Sequence, residues 1–374
     1  MRIAIDCRPL MSGKTSGVEV YIQSMLKALF ELDQKNEYVL WFNAFKPVDT
    51  SGWPTQYPNV TLRRTRIPNK ILNFGLSFLR WPKVDRLIGE GTQLLWVPDP
   101  RPAPVSHACK KVTTFHDLSF EDFKYAFNLK TRLWHKVLRP RLEAREADRI
   151  VAVSHFTKSQ LQEEYRVDPS RITVIHEAAP EHLRPFPMPK AFEIIQRKYN
   201  LPDQYFLCLS TLEPRKNIRG VIEAYLSWQR EVKHDVALVV AGQPHPEIFA
   251  RFDLQRHPDI LFPGFIDEAD KALLYQHALA FLYPSFYEGF GLPILEAMQC
   301  GAPVITSDVT AMPEVAGDAA HLVNPNDPHS LKDALHKMYR DDLYRQQLIE
   351  KGFARAAEFS WKKAAKELLT MFLG

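Results

Sequence analysis

The stretch YPSFYEGFGLPILEAMQCGAPVITSD, residues 283–308, sets two strand-like ends around a helical middle. An apolar run over 280–284 closes just inside it, a turn bracketed by Gly289 and Gly291 follows, and Pro293 stands where a helix start tolerates a missing N–H. The run over 303–306 is the next short strand. Two such strands joined through a helix run parallel, with helices covering both faces of their sheet. At the carboxyl edge of that sheet the amides of the helix start point outward, and anionic ligands bind there. Glu288 precedes the turn and Glu296 lies in the helix behind it, so both carboxylates can face one crevice and accept bonds from sugar or ribose hydroxyls. An ordinary glycine turn followed by a solvated helical glutamate would read the same way.

The same alternation extends in both directions. Strands are predicted over 205–211, 236–242, 260–263, 280–284, 303–306 and 321–323, and in the first half over 3–6, 38–42, 94–97, 111–115, 149–153 and 173–175, mostly with helical patterns between them. At 374 residues the chain is long for one core. The expectation is therefore an α/β protein of two doubly wound, Rossmann-like domains with parallel sheets. The proline-rich LRPFPMPKAF, with Pro185, Pro187 and Pro189, marks the linker, giving domains at 1–187 and 188–359. The segment FSWKKAAKELLTMF reads as a last helix capped by Ser360, with Trp361, Ala364, Ala365, Leu368 and Leu369 on one face.

Composition narrows the function classes. With 45% hydrophobic and 25% charged residues and no low-complexity tract, the chain is an ordinary globular one. Arg2 and Asp6 bracket too short an apolar run for a secretory signal, and no run approaches the roughly 18 residues of a spanning helix. Cys7, Cys109, Cys208 and Cys300 are dispersed, without a CxxC pair or a zinc spacing, and read as buried thiols of a reducing cytoplasm. Residues 1–190 carry 29 Lys and Arg against 20 Asp and Glu, and the remainder 19 against 24, so the first half suits an anionic partner.

A nucleotide-triphosphate loop is the obvious competing reading, because RPLMSGKTSG, residues 8–17, follows a strand and contains Gly13, Lys14 and Thr15. The motif needs glycine where Arg8 stands, and its threonine should already be helical, whereas the helix starts nearer Gly17. The string DEAD at 267–270 leads directly into KALLYQHA and reads as an acidic first helical turn, favoured by the helix dipole. A P-loop ATPase is thus the distant alternative.

Cations come from STLEPRKN, residues 210–217, where a strand delivers Arg215 and Lys216 to the carboxyl edge just before a helix. Arginine can clamp a phosphate with two bonds, and lysine adds a compact charge. A basic pair at a helix start opposes the dipole unless an anion sits with it. His116 follows the strand-like KKVTTF and falls at the same kind of edge.

The order EPRKN, VAG, PGF, EGFGLPILE, CGAPVITSD and MPEVAGDAA resembles the retaining GT-B glycosyltransferases of family 4, and within them the bacterial mannosyltransferase-like members of O-antigen and exopolysaccharide assembly. The likeness runs from IAIDCRPL through FHDLSF and AVSHFTKSQL to the closing FSWKKAAKEL. It implies a nucleotide-sugar donor on the C-terminal domain, an acceptor on the N-terminal one, a cleft that closes for reaction, and a last helix, 360–374, returning to the N-terminal domain. By motif position, Arg215 and Lys216 neutralise the donor diphosphate. Glu288, with the amides of Phe290 and Gly291, holds the transferred sugar, and Glu296 holds the ribose. Gly264 and Phe265 lie beside the base, Gly17 lies near the phosphates, and Ser210, Gly289 and Leu292 complete the donor set. His116 faces the sugar from the N-terminal domain. Arg8 and Asp117 belong to the acceptor side, and Asp117 either orients the His116 ring or makes a loop bond.

The reaction expected is hexosyl transfer by same-face substitution, with Arg215, Lys216 and the helix start stabilising the departing diphosphate. No metal or other cofactor is expected, because those cations take its place and no Asp-x-Asp element occurs. GDP-mannose is the favoured donor and a UDP-sugar the alternative, with a glycan or polyprenyl-diphosphate-linked acceptor and no nucleic acid. RRTRIPNKILNFGLSFLRWPKVDRLI, residues 63–88, mixes seven cations with Phe74, Phe78 and Trp81. That mixture suits either an anionic membrane surface or a basic helix packed on the sheet, so a cytoplasmic protein peripheral on the inner face of the plasma membrane is expected. A sugar-nucleotide epimerase and a catalytically silent carbohydrate-binding relative are the remaining alternatives.

Overall fold

The computed structural model describes residues 1–11, 17–122, 138–185, 189–242 and 257–374. Gly13, Lys14 and Thr15 of the P-loop-like string, and residues 186–188 of the expected linker, lie outside them. The chain divides into two compact units. Unit 1 comprises Met1–Phe120, the described part of Leu129–Glu177, and Ser360–Gly374. Unit 2 comprises Ala178–Phe359 and the described part of Glu121–Asn128.

Among the described residues, unit 1 holds a seven-stranded parallel sheet of β1 (Arg2–Asp6), β2 (Glu37–Asn43), β3 (Val60–Thr65), β4 (Leu94–Val97), β5 (Lys110–Phe115), β6 (Arg149–Ala152) and β7 (Ile172–Val174). Their order is β3-β2-β1-β4-β5-β6-β7. β1 lies between β2 and β4, with Ile3 facing Tyr38 on one side and Leu94 on the other. Ile3, Ala4 and Ile5 are all fully buried, as expected of a strand covered on both faces. β3 was not anticipated: its sequence VTLRRT breaks the apolar run with Arg63 and Arg64. It is the edge strand, where charged side chains are favoured because they discourage pairing with another chain.

The helix Gly17–Leu32 buries Tyr21, Ile22, Met25, Leu26, Leu29 and Phe30. Against it lies the last helix, Trp361–Leu373, with the rings of Tyr21 and Trp361 5.7 Å apart and those of Trp96 and Phe372 6.0 Å apart. Ser360 caps that helix, its hydroxyl accepting from the Lys363 amide at 3.2 Å. The expected return of the last helix to the N-terminal unit is therefore present. Phe372 is buried with the expected Trp361, Ala364, Ala365 and Leu368, whereas Leu369 is half-buried.

Unit 2 holds β8 (Tyr205–Leu209), β9 (Ala237–Ala241), β10 (Ile260–Gly264), β11 (Ala280–Tyr283), β12 (Val304–Ser307) and β13 (His321–Val323), also parallel, in the order β10-β9-β8-β11-β12-β13. The helix Ile218–Glu231 packs on Pro328–Arg340, and Leu292–Gln299 on Asp342–Ala357. Phe206, Cys208, Leu238, Val240 and Leu282 share one core with the first helix pair. Chain order reverses between β8 and β11, so the crevice outside their carboxyl ends is a topological switch point. All four cysteines are free and buried, and burial pushes the Cys300 thiol up to about 12. The DEAD string precedes the helix Lys271–His277, with Asp267 and Asp270 each 2.6 Å from Lys198 Nζ. Among the described residues no helix is long and apolar enough to cross a membrane.

Candidate active site

The switch point of unit 2 is flanked by the loop after β8, which carries Arg215 and Lys216, and the loop after β11, which carries Glu288. A single 3-10 turn, Pro214–Lys216, is ended by Asn217 in the left-handed region, and the helix Ile218–Glu231 begins there. The Phe286 amide donates to the Arg215 carbonyl at 2.8 Å, joining the two loops. A third loop joins them, because the Glu288 amide donates to Thr310 Oγ1 at 3.2 Å.

Glu288 receives both cations on separate oxygens. Lys216 Nζ donates to Oε1 at 2.6 Å, and Arg215 Nη1 donates to Oε2 at 2.7 Å. Arg215 Nε also donates to Glu213 Oε2 at 2.9 Å, and Lys216 Nζ to the Tyr283 hydroxyl at 2.6 Å. Two cations and two carboxylates thus converge on one edge, with Lys216 and Glu288 buried. Burial would raise the Glu288 carboxyl, but the Arg215 and Lys216 charges outweigh it and hold the group at about 2. Burial, helped by the Arg215 charge, pulls the Lys216 ammonium below its ordinary range, against the opposing pull of Glu288.

Glu296 has a different environment. It is buried, accepts from the Tyr275 hydroxyl at 3.0 Å, and is raised by burial against the opposing charge of Lys271. Burial pushes the Tyr283 hydroxyl far up, with Glu288 and Glu296 both adding to the shift. Tyr283, Glu213, Thr310, Tyr275 and Lys271 were not singled out from sequence. Tyr283 had a local signal, as the last residue of the strand that opens the quoted stretch, and Glu213 had one as the first residue of EPRKN.

Gly291 caps the helix Leu292–Gln299 at φ 107°, a conformation that favours glycine, and a Cβ there would also press on Ile294. Leu292 rather than Pro293 is the first helical residue, which leaves a backbone N–H at the helix start. The Phe290 ring is buried edge-on against Phe359, 6.0 Å between centroids. Ser210, Gly242 and Gly264 meet at the ends of β8, β9 and β10. The Ser210 amide donates to the Ala241 carbonyl at 3.1 Å, and the Gly242 amide to the Gly264 carbonyl at 2.7 Å. Gly242 has φ +136°, and a Cβ on it would fall 1.8 Å from the Ser210 carbonyl oxygen, so only glycine permits this approach. Beyond Gly264, Phe265 is 57% exposed.

In unit 1, His116 follows β5 and is held on both ring nitrogens: Nδ1 lies 3.0 Å from Glu177 Oε1 and Nε2 2.9 Å from the Pro98 carbonyl. Both partners are acceptors, so the imidazolium form satisfies both. Burial opposes that charge, but Glu177 outweighs it and the group titrates above its ordinary value. Tyr21 meets the ring edge-on, 4.6 Å between centroids. Asp117 makes the loop bond, accepting from the Ser119 amide at 3.1 Å and hydroxyl at 2.9 Å, and Glu177, which sequence reasoning missed, orients the ring. Arg8 Nε donates to Asp6 Oδ1 at 2.9 Å, Nη2 donates to the Pro102 carbonyl at 3.0 Å, and the guanidinium lies over Trp41. Gly17 starts its helix exposed to solvent.

Residues 191–355 match the family model described as glycosyl transferases group 1, and residues 15–179 that described as glycosyltransferase family 4. The chain is 35% identical over 269 residues to O-antigen chain mannosyltransferase B of Escherichia coli, covering 70% of each protein. Solved structures with the same fold include sucrose-phosphate synthase from Thermosynechococcus elongatus, with a TM-score of 0.73, 19% identity and 99% and 98% of the two chains covered. Another is WaaG, a glycosyltransferase involved in lipopolysaccharide biosynthesis, with a TM-score of 0.73, 16% identity and both chains covered in full. Two parallel-sheet Rossmann-like units, a cation pair set on a buried glutamate at the switch point, and these matches agree: the chain belongs to the family 4 glycosyltransferases of GT-B fold.

Proposed function

We propose that this glycosyltransferase moves mannose from GDP-mannose to a polyprenyl-diphosphate-linked glycan at the cytoplasmic face of a membrane, with retention of configuration and without a metal. The observation that carries the reading is the pair Arg215 and Lys216 held on Glu288 at the switch point, beside the helix start at Gly291. The pair offers two positive charges to a diphosphate, and the helix start adds amide donors. The O-antigen mannosyltransferase relative supports mannose as the sugar.

Both oxygens of Glu288 are engaged by cations, and its low pKa makes it a weak nucleophile. That favours same-face substitution over a glycosyl-enzyme intermediate. The bond from the sugar anomeric carbon to the diphosphate oxygen breaks, the acceptor hydroxyl oxygen bonds to that carbon on the same face, and its proton passes to the departing diphosphate. Arg215 and Lys216 stabilise the charge that grows on the leaving group. Glu288 binds sugar hydroxyls with the Phe290 and Gly291 amides, Glu296 binds the ribose, and Phe265 offers its exposed ring to the base. Ser210, Gly264, Gly289 and Leu292 complete the donor pocket, with Gly17 near the phosphates. His116 contributes the charge of its imidazolium to the transferred sugar. Arg8 and Asp117 shape the acceptor side through their own loop contacts.

A thermal-shift panel of GDP-mannose, UDP-glucose, UDP-N-acetylglucosamine and ATP tests the donor. GDP-mannose should raise the melting temperature most, and ligand at 100 times its dissociation constant stabilises by about 2.7 kcal/mol. The shift and the transfer should both persist in EDTA. A larger shift with ATP or a UDP-sugar, or activity abolished by EDTA, would contradict the reading.

A further inference from the structure

Lys216 carries its charge on a flexible stem, so whatever fixes the ammonium decides where a diphosphate meets it. An ammonium has three N–H donors. One goes to Glu288 Oε1 and one to the Tyr283 hydroxyl, each at 2.6 Å, which leaves the third for a ligand. The two anchors are unlike each other. Glu288 is flexible and shared, since its Oε2 accepts from Arg215 Nη1 at 2.7 Å. In the reaction proposed above it also binds sugar hydroxyls, and each of those bonds competes with its hold on Lys216.

Tyr283 is fixed by its surroundings instead. It is the last residue of β11 and is buried. Thr306, its partner in register on β12, donates through Oγ1 to the Tyr283 carbonyl at 2.9 Å. The ring stacks on Phe281, with centroids 5.7 Å apart and planes at 23°, and Tyr275 packs edge-on against Phe281 at 5.0 Å. A ring locked in this way holds its oxygen at a set place beside the turn Pro214–Lys216. Lys216 is buried as well, and burial and the neighbouring Arg215 both favour loss of its proton. A nearby oxygen that accepts from the ammonium replaces the water it has lost.

We propose that Tyr283 is a positioning residue for the transfer, its hydroxyl holding the Lys216 ammonium in place for the departing diphosphate while Glu288 engages the sugar. The hydroxyl acts through Lys216 and not on the substrate itself. The inference rests on the reading of Lys216 as a diphosphate contact. The charged groups around the pair are Arg215, Glu213, Glu288 and, from the next helix, Glu296, and Tyr283→Phe leaves all of them in place.

Two measurements on the full chain test it. In protein labelled with 13C at lysine Cε, the signal that disappears in Lys216→Met reports the ammonium. In Tyr283→Phe its titration midpoint should fall by about one to two in pH, the equivalent of one hydrogen bond to a charged group. In steady-state transfer from GDP-mannose, Tyr283→Phe should lower kcat roughly ten- to a hundredfold with the donor KM within about threefold, because the charge matters most as the leaving group departs. The melting temperature should stay close to that of the parent. The double variant Tyr283→Phe/Lys216→Met should be no slower than Lys216→Met, since a residue that acts through another adds nothing once the other is gone. An unchanged Lys216 midpoint in Tyr283→Phe would overturn the proposal, and so would an unchanged kcat or a double variant in which the two losses multiply. If the parent moves no mannose from GDP-mannose, the proposed function fails and the Lys216 titration still decides the role of Tyr283. If the parent transfers mannose and Tyr283→Phe titrates as the parent does, this inference alone fails.

Discussion

Glu288 sits between two cations that would otherwise repel each other, and that position decides how the site responds to substitution and to pH. Removing one partner of a buried ion pair leaves an uncompensated charge and costs about 3–5 kcal/mol. Glu288→Ala should lower the unfolding free energy by that order, measured by urea denaturation at pH 7. The pH dependence has a definite sign: a carboxyl at about 2 in the fold and 4.5 unfolded adds stability that is present above 4.5 and lost as pH falls towards 2. Arg215→Ala should reduce kcat/KM roughly 30- to 1000-fold, about 2–4 kcal/mol of transition-state stabilisation, in a steady-state transfer assay. His116 behaves oppositely. Its raised value adds stability that is full below 6.5 and fades as pH rises through the folded value. In Glu177→Gln the charge that outweighs burial is gone, so the ring should titrate lower than in the parent by NMR. Arg215, Lys216 and Glu288 were legible in sequence because each stands in a short motif next to a strand end. Glu177 was not, because it reaches His116 from 61 residues away and no local pattern records that contact.

At the level of elements, apolar runs announced the buried parallel strands, and their order along the chain implied the sheets. β3 escaped because an edge strand needs no apolar run, and its arginines read as a surface feature. Gly242 closes the VAG motif, but the motif does not say why glycine is needed: that comes from the Ser210 carbonyl of a neighbouring strand end. Gly242→Ala should therefore cost roughly 2 kcal/mol or more and weaken donor binding, read by thermal denaturation and nucleotide-sugar titration. The last helix is the clearest long-range element of unit 1. Trp361→Ala should cost about 3–5 kcal/mol, as expected for a large buried side chain. Ser360→Ala should cost about 1 kcal/mol through loss of the cap. The sequence showed that this helix was amphipathic, and the family resemblance that it returns to the N-terminal unit, but its partner there, the helix Gly17–Leu32, is seen only in the structure.

Across the whole molecule, the two units divide the chemistry by charge and by loop. Unit 2 gathers Arg215, Lys216, Glu213 and Glu288 at its switch point, and unit 1 holds the His116 ring between two acceptors. The fold class was readable throughout because both halves repeat one pattern of strand and helix. The sugar, the base and the acceptor were not, since they depend on the shapes of loops at strand ends, which local sequence patterns do not determine. The measurement that reaches the central claim most directly is proton NMR of the glycan formed when the chain is given GDP-mannose and a polyprenyl-diphosphate-linked acceptor in EDTA. The account predicts an α-mannoside formed in step with GDP release, and almost none with Arg215→Ala. A β-mannoside, or GDP release that survives Arg215→Ala unchanged, would contradict it.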